Sequence, residues 1–179
     1  MVKTLGELLF FALVFSGCST VWSIGEVPYV PTPMEVVERM LEMAEVKEGD
    51  LVYDLGSGDG RIVIRAAKKF GARGVGIEID SRLVRIAQEN ARKEGVSHRV
   101  EFREQDALTA DLSRATVVTL YMFPEFNAKL RPVLERDLKP GARVVSHDFP
   151  IEGWSPVEIQ KVKGNFLHDH TIFLWKMSE

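Results

Sequence analysis

The loop over residues 54–60 carries the side chains of this sequence that are most suited to holding a ligand. It follows a short apolar stretch and reads Asp-Leu-Gly-Ser-Gly-Asp-Gly. Glycines at such a place let the backbone turn sharply and approach a ligand closely. Glu78 follows Gly56 by about 20 residues, the spacing at which a carboxylate can accept the hydroxyls of a ribose. This spacing favours an adenosine-containing ligand over a simple tight turn.

The acidic residue that opens this loop discriminates among adenosine-containing ligands. Asp54 lies two residues before Gly56, where its carboxylate would repel a pyrophosphate and attract a positive charge. S-adenosylmethionine has a sulfonium, an α-amino group and no phosphate, so its charge matches the loop. Asp106 follows the third predicted strand, where a carboxylate could accept a hydrogen bond from the adenine amino group. These positions predict an S-adenosylmethionine site.

Parallel strands are needed to bring these residues together, and the apolar pattern predicts them. Strands alternate with helices over residues 62–70, 81–94 and 125–138. This alternation predicts an α/β fold with a doubly wound, Rossmann-like sheet, in which ligands bind beyond the carboxyl ends of the strands. No helix separates the last two strands, so that end is expected to be antiparallel. The predicted strands cover residues 51–55, 74–79, 99–104, 115–121, 143–147, 156–162 and 171–175.

A proline-rich segment, residues 27–33, precedes the first predicted helix. Its sequence is Val-Pro-Tyr-Val-Pro-Thr-Pro, and three prolines at this spacing forbid a helix. Thr32 is then predicted to be the N-cap of the helix that follows, with Pro33 at the first helical position. Glu35 completes the pattern of a capping box.

Composition limits the chemistry available to the chain. Its 179 residues are the size of one domain, and 45% of them are hydrophobic, as in ordinary globular proteins. The net charge of −3 gives no bulk attraction to nucleic acid. Cys18 is the single cysteine, which excludes an intramolecular disulfide, a cysteine-rich zinc site and a catalytic cysteine in the body of the chain.

The motifs described above resemble the cofactor-binding motifs of class I S-adenosylmethionine-dependent methyltransferases, and the likeness covers nearly all of residues 50–179. That family has a seven-stranded sheet with an antiparallel terminal hairpin, which agrees with the predicted strands. The resemblance implies S-adenosyl-L-methionine as the cofactor. The cofactor-binding residues would be Tyr29, Thr32, Asp54, Gly56, Ser57, Gly58, Gly60, Glu78, Asp106, Ala107 and Thr119.

A narrower resemblance lies outside those motifs. The chain here resembles the small archaeal-type protein lysine methyltransferases. The resemblance is carried by residues 27–33, 115–119 and 138–147, together with Gly153, Trp154 and Pro156. Mitochondrial lysine methyltransferases acting on ATP synthase and on the adenine nucleotide translocase share this pattern and carry an N-terminal membrane segment. The resemblance implies N-methylation of lysine side chains in a protein substrate, with no nucleic acid as partner.

Methyl transfer from a sulfonium leaves few catalytic signatures in a sequence. The displacement is in line, the leaving group departs neutral, and the main task of an enzyme is alignment. An apolar channel beside the sulfonium favours the neutral form of an acceptor lysine. Tyr29 and Tyr121 are the candidate catalytic residues, and Thr32 and residues 122–124 are further candidates for the acceptor channel. The proline-rich segment resembles a lid across the cofactor.

Two other functions remain open from the sequence. One is a methyltransferase of the same fold that acts on a small molecule or on RNA, although the net charge disfavours RNA. The other is a non-catalytic, membrane-tethered protein that binds S-adenosylmethionine, which the complete set of Asp54, Gly56, Gly58, Glu78 and Asp106 makes less attractive.

No metal site is predicted. His168, Asp169 and His170 place two histidines near the start of a strand, but no third ligand is apparent nearby in the sequence, so a solvated turn is favoured. His147 and Asp148 end the fifth predicted strand on the cofactor side. Either a role in the site or a hydrogen-bonded pair at the edge of the core fits them.

Residues 1–24 differ from the rest of the chain and are excluded from the predicted fold. Lys3 precedes an apolar run over residues 8–15, and Cys18 follows in a context similar to a bacterial lipobox. We predict a signal-like or membrane-anchor segment over residues 1–24 and a methyltransferase domain over residues 25–179. The domain is expected in the cytoplasm or at a membrane facing the cytoplasm, because the methyl donor is made there. Export as a lipoprotein through Cys18 is the alternative.

Overall fold

A seven-stranded mixed sheet forms the centre of the protein in the computed structural model, which describes residues 29–164 and 169–178. The strand order is β3-β2-β1-β4-β5-β7-β6. The first five strands are parallel, and β7 runs antiparallel to both β5 and β6. This confirms the predicted doubly wound fold and its antiparallel end. The strands are β1 Leu51–Leu55, β2 Arg73–Glu78, β3 Val100–Glu104, β4 Val117–Leu120, β5 Arg143–His147, β6 Glu158–Val162 and β7 His170–Lys176.

Helices cover both faces of the sheet. Apolar side chains of α1 (Met34–Met43), α2 (Arg61–Phe70) and α3 (Ser81–Lys93) form one buried cluster against the first face. Side chains of α4 (Pro124–Asp137) and of a short 3-10 helix (Ala107–Thr109) belong to a second cluster on the other face. The 3-10 helix was not predicted, because a single turn has no periodicity to detect.

The order of the strands decides where a ligand can bind. β1 pairs with β2 on one side and with β4 on the other, so the chain connections diverge at β1. In a doubly wound sheet such a divergence opens a crevice beyond the carboxyl ends of the strands. Asp54 lies at this end of β1, in register with Gly76 of β2 and Thr119 of β4.

The beginning of α1 differs from the prediction. Pro33 is the N-cap, and no side chain caps the helix, so the capping box of Thr32 and Glu35 is absent. The Thr32 hydroxyl instead lies 3.3 Å from Nδ1 of His147, at the end of β5. A buried tertiary contact has therefore replaced the local hydrogen bond that the sequence pattern favours.

The predicted N-terminal segment over residues 1–24 lies outside the described residues, and so does His168. Within residues 29–164 and 169–178, we find no helix with the length and apolar character needed to cross a bilayer.

Candidate functional site

A cleft of about 740 Å³ lies beyond the carboxyl ends of β1, β2 and β4. Its size falls within the range of pockets that hold small molecules and cofactors. Nine of the residues predicted to bind the cofactor line it, namely Tyr29, Thr32, Asp54, Gly56, Ser57, Gly58, Glu78, Asp106 and Ala107. Tyr121 lines it as well. The fold thus brings together most of the residues that the sequence singled out.

The glycine loop is shaped so that its backbone faces the cleft. Gly56 and Gly58 have φ angles of 74° and 53°, in the left-handed region that favours glycine. The backbone N–H groups of Gly56 and Ser57 both donate to the carbonyl oxygen of Ile77, at 2.8 and 3.0 Å. A Cβ atom on Gly58 would lie 2.5 Å from the Tyr29 ring. Glycine at position 58 therefore gives the proline-rich segment room to lie against the loop.

Glu78 joins the glycine loop to the loop after β2. Its Oε2 accepts a hydrogen bond from the backbone N–H of Gly58, and its Oε1 accepts one from the backbone N–H of Asp80, both at 2.9 Å. The carboxylate is buried and lines the cleft. Each carboxylate oxygen keeps a further lone pair, so the orientation set by these two bonds leaves acceptors for ribose hydroxyls.

Asp54 is a buried acid at the floor of the cleft. Its pKa is raised to about 7, chiefly by burial; a hydrogen bond from Thr119 opposes the rise, and the nearby charges of Glu78 and Asp59 add to it. The cost of holding this carboxylate ionised falls when a positive ligand group lies beside it. Asp54 is therefore suited to a sulfonium or an ammonium group and unsuited to a phosphate.

Two of the residues predicted to bind the cofactor, Thr119 and Gly60, do not line the cleft. Thr119 lies fully buried within β4 and donates its hydroxyl to Oδ1 of Asp54, so it positions that carboxylate from behind. Gly60 is the N-cap of α2, and a Cβ atom there would lie 2.6 Å from the Phe102 ring. Gly60 therefore allows the loop to pack on the core. The sequence did not distinguish it from Gly58, which lines the cleft two residues earlier.

Asp106 and Ala107 form the wall of the cleft after β3. Oδ1 of Asp106 accepts a hydrogen bond from the backbone N–H of Leu108 at 2.9 Å, which caps the 3-10 helix. The Asp106 side chain is exposed at the rim. Its predicted contact with an adenine amino group stays a prediction, while its cap role was not predicted.

Arg61 is a residue of the cleft that the sequence analysis missed. Its guanidinium donates to both carboxylate oxygens of Asp59, at 2.9 and 2.7 Å, and to the backbone carbonyl of Thr32, at 2.9 Å. Burial and the Asp59 carboxylate together raise the pKa of Tyr29. Arg61 thus holds the proline-rich segment against the glycine loop. An arginine that begins a helix offers no sequence signal for a contact with a segment 29 residues earlier.

Aromatic rings surround Tyr121, which lines the cleft at the end of β4. The Tyr121 ring lies 4.0 Å from the His147 ring and 6.0 Å from the Phe149 ring, measured between centroids. Phe123 contacts Phe149 edge to face at 5.4 Å. Burial raises the pKa of Tyr121, with the Asp148 charge adding to the effect, so its hydroxyl is neutral at pH 7. In this aromatic wall (Tyr121, Phe123 and Phe149), Tyr121 lines the cleft and can pack against an apolar stem, and the two phenylalanines support its ring.

The cleft fits S-adenosylmethionine on three independent observations. Its volume is sufficient, and Asp54, Glu78 and Asp106 give it acceptors and negative charge. The buried Ser57 hydroxyl has no hydrogen-bond partner among the described residues. When bound, the cofactor supplies an electrophilic methyl group.

The sheet order, the glycine loop and the acidic cleft together define a class I S-adenosylmethionine-dependent methyltransferase. Residues 54–158 match the model of a family described as the ANTKMT methyltransferase domain. The chain is 49% identical over 158 residues to the protein-lysine N-methyltransferase of Saccharolobus islandicus, covering 87% of this chain and 97% of the relative. The chain belongs to this methyltransferase family.

Two further comparisons define how far the similarity extends. The human lysine N-methyltransferase named for the ATP synthase C-subunit is 38% identical over 129 residues, which cover 72% of this chain and 54% of the relative. A solved structure from Salinibacter ruber, described as an RNA methyltransferase in complex with S-adenosyl-L-homocysteine, is 55% identical with a TM-score of 0.78. It covers 84% of this chain and 95% of that one. The bound demethylated product in that relative agrees with S-adenosylmethionine as the cofactor here.

Proposed function

We propose that this methyltransferase transfers a methyl group from S-adenosylmethionine to the Nζ atom of lysine side chains in a protein. The observation that carries the proposal is the 49% identity, over nearly the whole length of the relative, to an enzyme named a protein-lysine N-methyltransferase. Relatives named for the ATP synthase C-subunit and for the adenine nucleotide translocase support the same substrate class. This chain spans about half the length of the human relative named for the ATP synthase C-subunit.

The aromatic wall is suited to prepare a lysine for methylation. A lysine in water has a pKa near about 10.4 and is protonated at neutral pH. Burying its stem against the Tyr121 ring removes water, and the positive sulfonium nearby lowers the pKa of the amine further. The neutral amine then has a lone pair for in-line attack, with alignment as the main contribution of the protein.

Tyr121 contributes to this step mainly through its ring, which packs against the lysine stem and orients it. Its hydroxyl is neutral, because burial raises its pKa, and it cannot take up the proton of the amine as a phenolate would. The amine therefore loses that proton to bulk water before its stem is buried. Tyr29 covers the cofactor side of the cleft, so it acts through cofactor binding.

RNA methylation is the second candidate, because the Salinibacter ruber relative is described as an RNA methyltransferase at 55% identity. Against it stands the net charge of −3 and the ion pairing of the arginines at the cleft, Arg61 with Asp59 and Arg82 with Asp80. A protein that follows an RNA backbone needs cationic groups free to replace counterions.

Labelling separates these functions. Purified protein is incubated with methyl-labelled S-adenosylmethionine and a cell extract, and the products are digested either with protease or with ribonuclease. We expect label in protein that is recovered as methyl-lysine after acid hydrolysis. Label that only ribonuclease releases would establish RNA methylation, and label in neither polymer would favour a small-molecule acceptor or a non-catalytic protein. The Glu78→Ala variant, which lacks the ribose acceptor, is the negative control.

We also propose that the catalytic domain works on the cytoplasmic side, with residues 1–24 serving as a membrane anchor or being dispensable. The supporting argument is chemical, since the methyl donor is made and held inside cells. Protease added to intact cells tests the proposal, and the domain should resist digestion until the cells are lysed. Digestion in intact cells, or labelling of Cys18 by palmitate, would instead indicate an exported lipoprotein.

A further inference from the structure

Two histidines and one aspartate converge behind the aromatic wall. His147 ends β5, Asp148 follows it, and His170 begins the antiparallel strand β7. Asp148 has a φ of 59°, a left-handed conformation that costs a non-glycine residue energy. We infer that His147, Asp148 and His170 form a binding site for one divalent transition-metal cation of the zinc type.

The distances among the three facing atoms match those of metal ligands. Nε2 of His147 lies 2.9 Å from Nδ1 of His170 and 3.2 Å from Oδ2 of Asp148, and the last two atoms are 3.5 Å apart. Ligands at about 2.0–2.1 Å from a tetrahedral zinc ion lie about 3.3–3.4 Å from one another. The three measured separations bracket this value, so a cation fits with small side-chain adjustments.

Neighbouring groups already orient two of the three ligands. Nδ1 of His147 lies 3.3 Å from the Thr32 hydroxyl, and a proton on Nδ1 leaves the lone pair of Nε2 directed at the metal position. Oδ1 of Asp148 accepts a hydrogen bond from the backbone N–H of Thr171 at 2.8 Å, which leaves Oδ2 for the cation. Such outer partners are typical of metal-binding histidines and carboxylates. Both histidines are buried, which limits competition from water.

The site would act on the enzyme by positioning and would not contact the substrate. It joins the end of β5 to the start of β7, and its ligand His147 contacts the Tyr121 ring. Through Thr32 it also reaches the proline-rich segment. A bound cation would therefore hold the aromatic wall and this segment in one arrangement.

Metal content and cobalt spectroscopy test the inference on the full-length chain without a histidine tag. After chelator treatment and dialysis, we expect one equivalent of Zn²⁺ to bind per chain and to raise the unfolding temperature. Co²⁺ should bind with the same stoichiometry and give the intense visible bands of a tetrahedral site with nitrogen and oxygen ligands. No binding, or binding without such bands and without stabilisation, would overturn the inference.

Variants locate the cation. His170→Asn and Asp148→Asn should each weaken Zn²⁺ binding at least 10-fold, and Thr32→Val, which removes an outer partner, should weaken it about 10–100-fold. The matched control is His98→Asn, since His98 is exposed and lies far along the chain from this cluster. Circular dichroism shows whether each variant is folded. The cobalt spectrum is recorded on the wild-type protein, so that test holds even if a variant does not fold. Equal affinity in the His170→Asn and His98→Asn proteins would place the metal elsewhere and overturn the assignment. These measurements do not depend on which substrate is methylated.

Discussion

The hydroxyl of Thr119 lies 2.7 Å from Oδ1 of Asp54, across the pair formed by β4 and β1. Both residues are buried, and Asp54 alone of the two lines the cleft. The hydrogen bond from Thr119 lowers the pKa of Asp54, but burial raises it by more, so the pKa is about 7. Ionising the Asp54 carboxylate is therefore unfavourable in the cofactor-free protein, and a positive ligand group beside it lowers that cost.

Asp54→Asn should make the cofactor-free protein more stable at pH 8 and weaken its binding of S-adenosylmethionine at least 10-fold. The amide keeps an oxygen for the Thr119 hydroxyl and removes the buried charge. Asp54 has a pKa of about 7 in the folded protein and about 3.9 in the unfolded chain. The free energy of unfolding of the wild type therefore decreases as the pH rises from about 3.9 to about 7. The gain should approach roughly 4 kcal/mol at most.

Urea unfolding at pH 5 and at pH 8 measures this effect. The difference in free energy of unfolding between variant and wild type should be larger at pH 8, where the folded protein must ionise Asp54. A variant that is less stable at pH 8 would contradict the raised pKa. Calorimetry with S-adenosylmethionine gives the affinity of both proteins.

Glu78→Ala should weaken S-adenosylmethionine binding by roughly 1–3 kcal/mol, the cost of leaving hydrogen-bonding groups unpaired. The substitution removes the acceptor of the Gly58 and Asp80 N–H groups and the predicted acceptor of the ribose hydroxyls. Isothermal titration calorimetry measures the change. Glu101→Ala is the matched control, because Glu101 is exposed on β3 and pairs with Arg103, and it should leave affinity unchanged. Unaltered affinity in Glu78→Ala would exclude Glu78 as the ribose acid.

Arg61→Gln should speed the dissociation of the cofactor several-fold with a small effect on stability. Arg61 holds the proline-rich segment through the Thr32 carbonyl and the Asp59 carboxylate, and its ion pair is partly exposed, so it contributes little to folding. Stopped-flow displacement of bound S-adenosylmethionine measures the rate. Arg65→Gln on the same helix removes the ion pair with Glu38 and should leave the rate unaltered. Equal rates in both variants would show that Arg61 has no part in closing the cleft.

Tyr121→Ala should lower kcat for methyl transfer at least 10-fold, whereas Tyr121→Phe should retain most of it. The ring forms the aromatic wall with Phe149, and phenylalanine preserves that surface while alanine removes it. Steady-state kinetics on the identified acceptor, at saturating cofactor, separates kcat from KM. A large loss in Tyr121→Phe would assign the orienting role to the hydroxyl and not to the ring.

The sequence alone determined the order of the strands and helices and the residues that line the cleft at the ends of β1, β2 and β3. Those signals are local, because a glycine loop after an apolar strand and an acid about 20 residues later fix both the turn and its ligand chemistry. Thr32 shows where local reasoning fails. Its capping pattern is clear, yet the structure gives its hydroxyl to His147, 115 residues away along the chain.

The tertiary structure decided which side chains act together. Thr119 meets Asp54 across 65 residues, Arg61 meets the proline-rich segment, and His170 meets His147 and Asp148 from a different strand. Sequence spacing cannot predict such contacts, because strand register and the antiparallel insertion of β7 beside β5 set the distances. A group of histidines and an aspartate assembled from two strands has no spacing signature, and it becomes visible when the sheet has placed the side chains side by side.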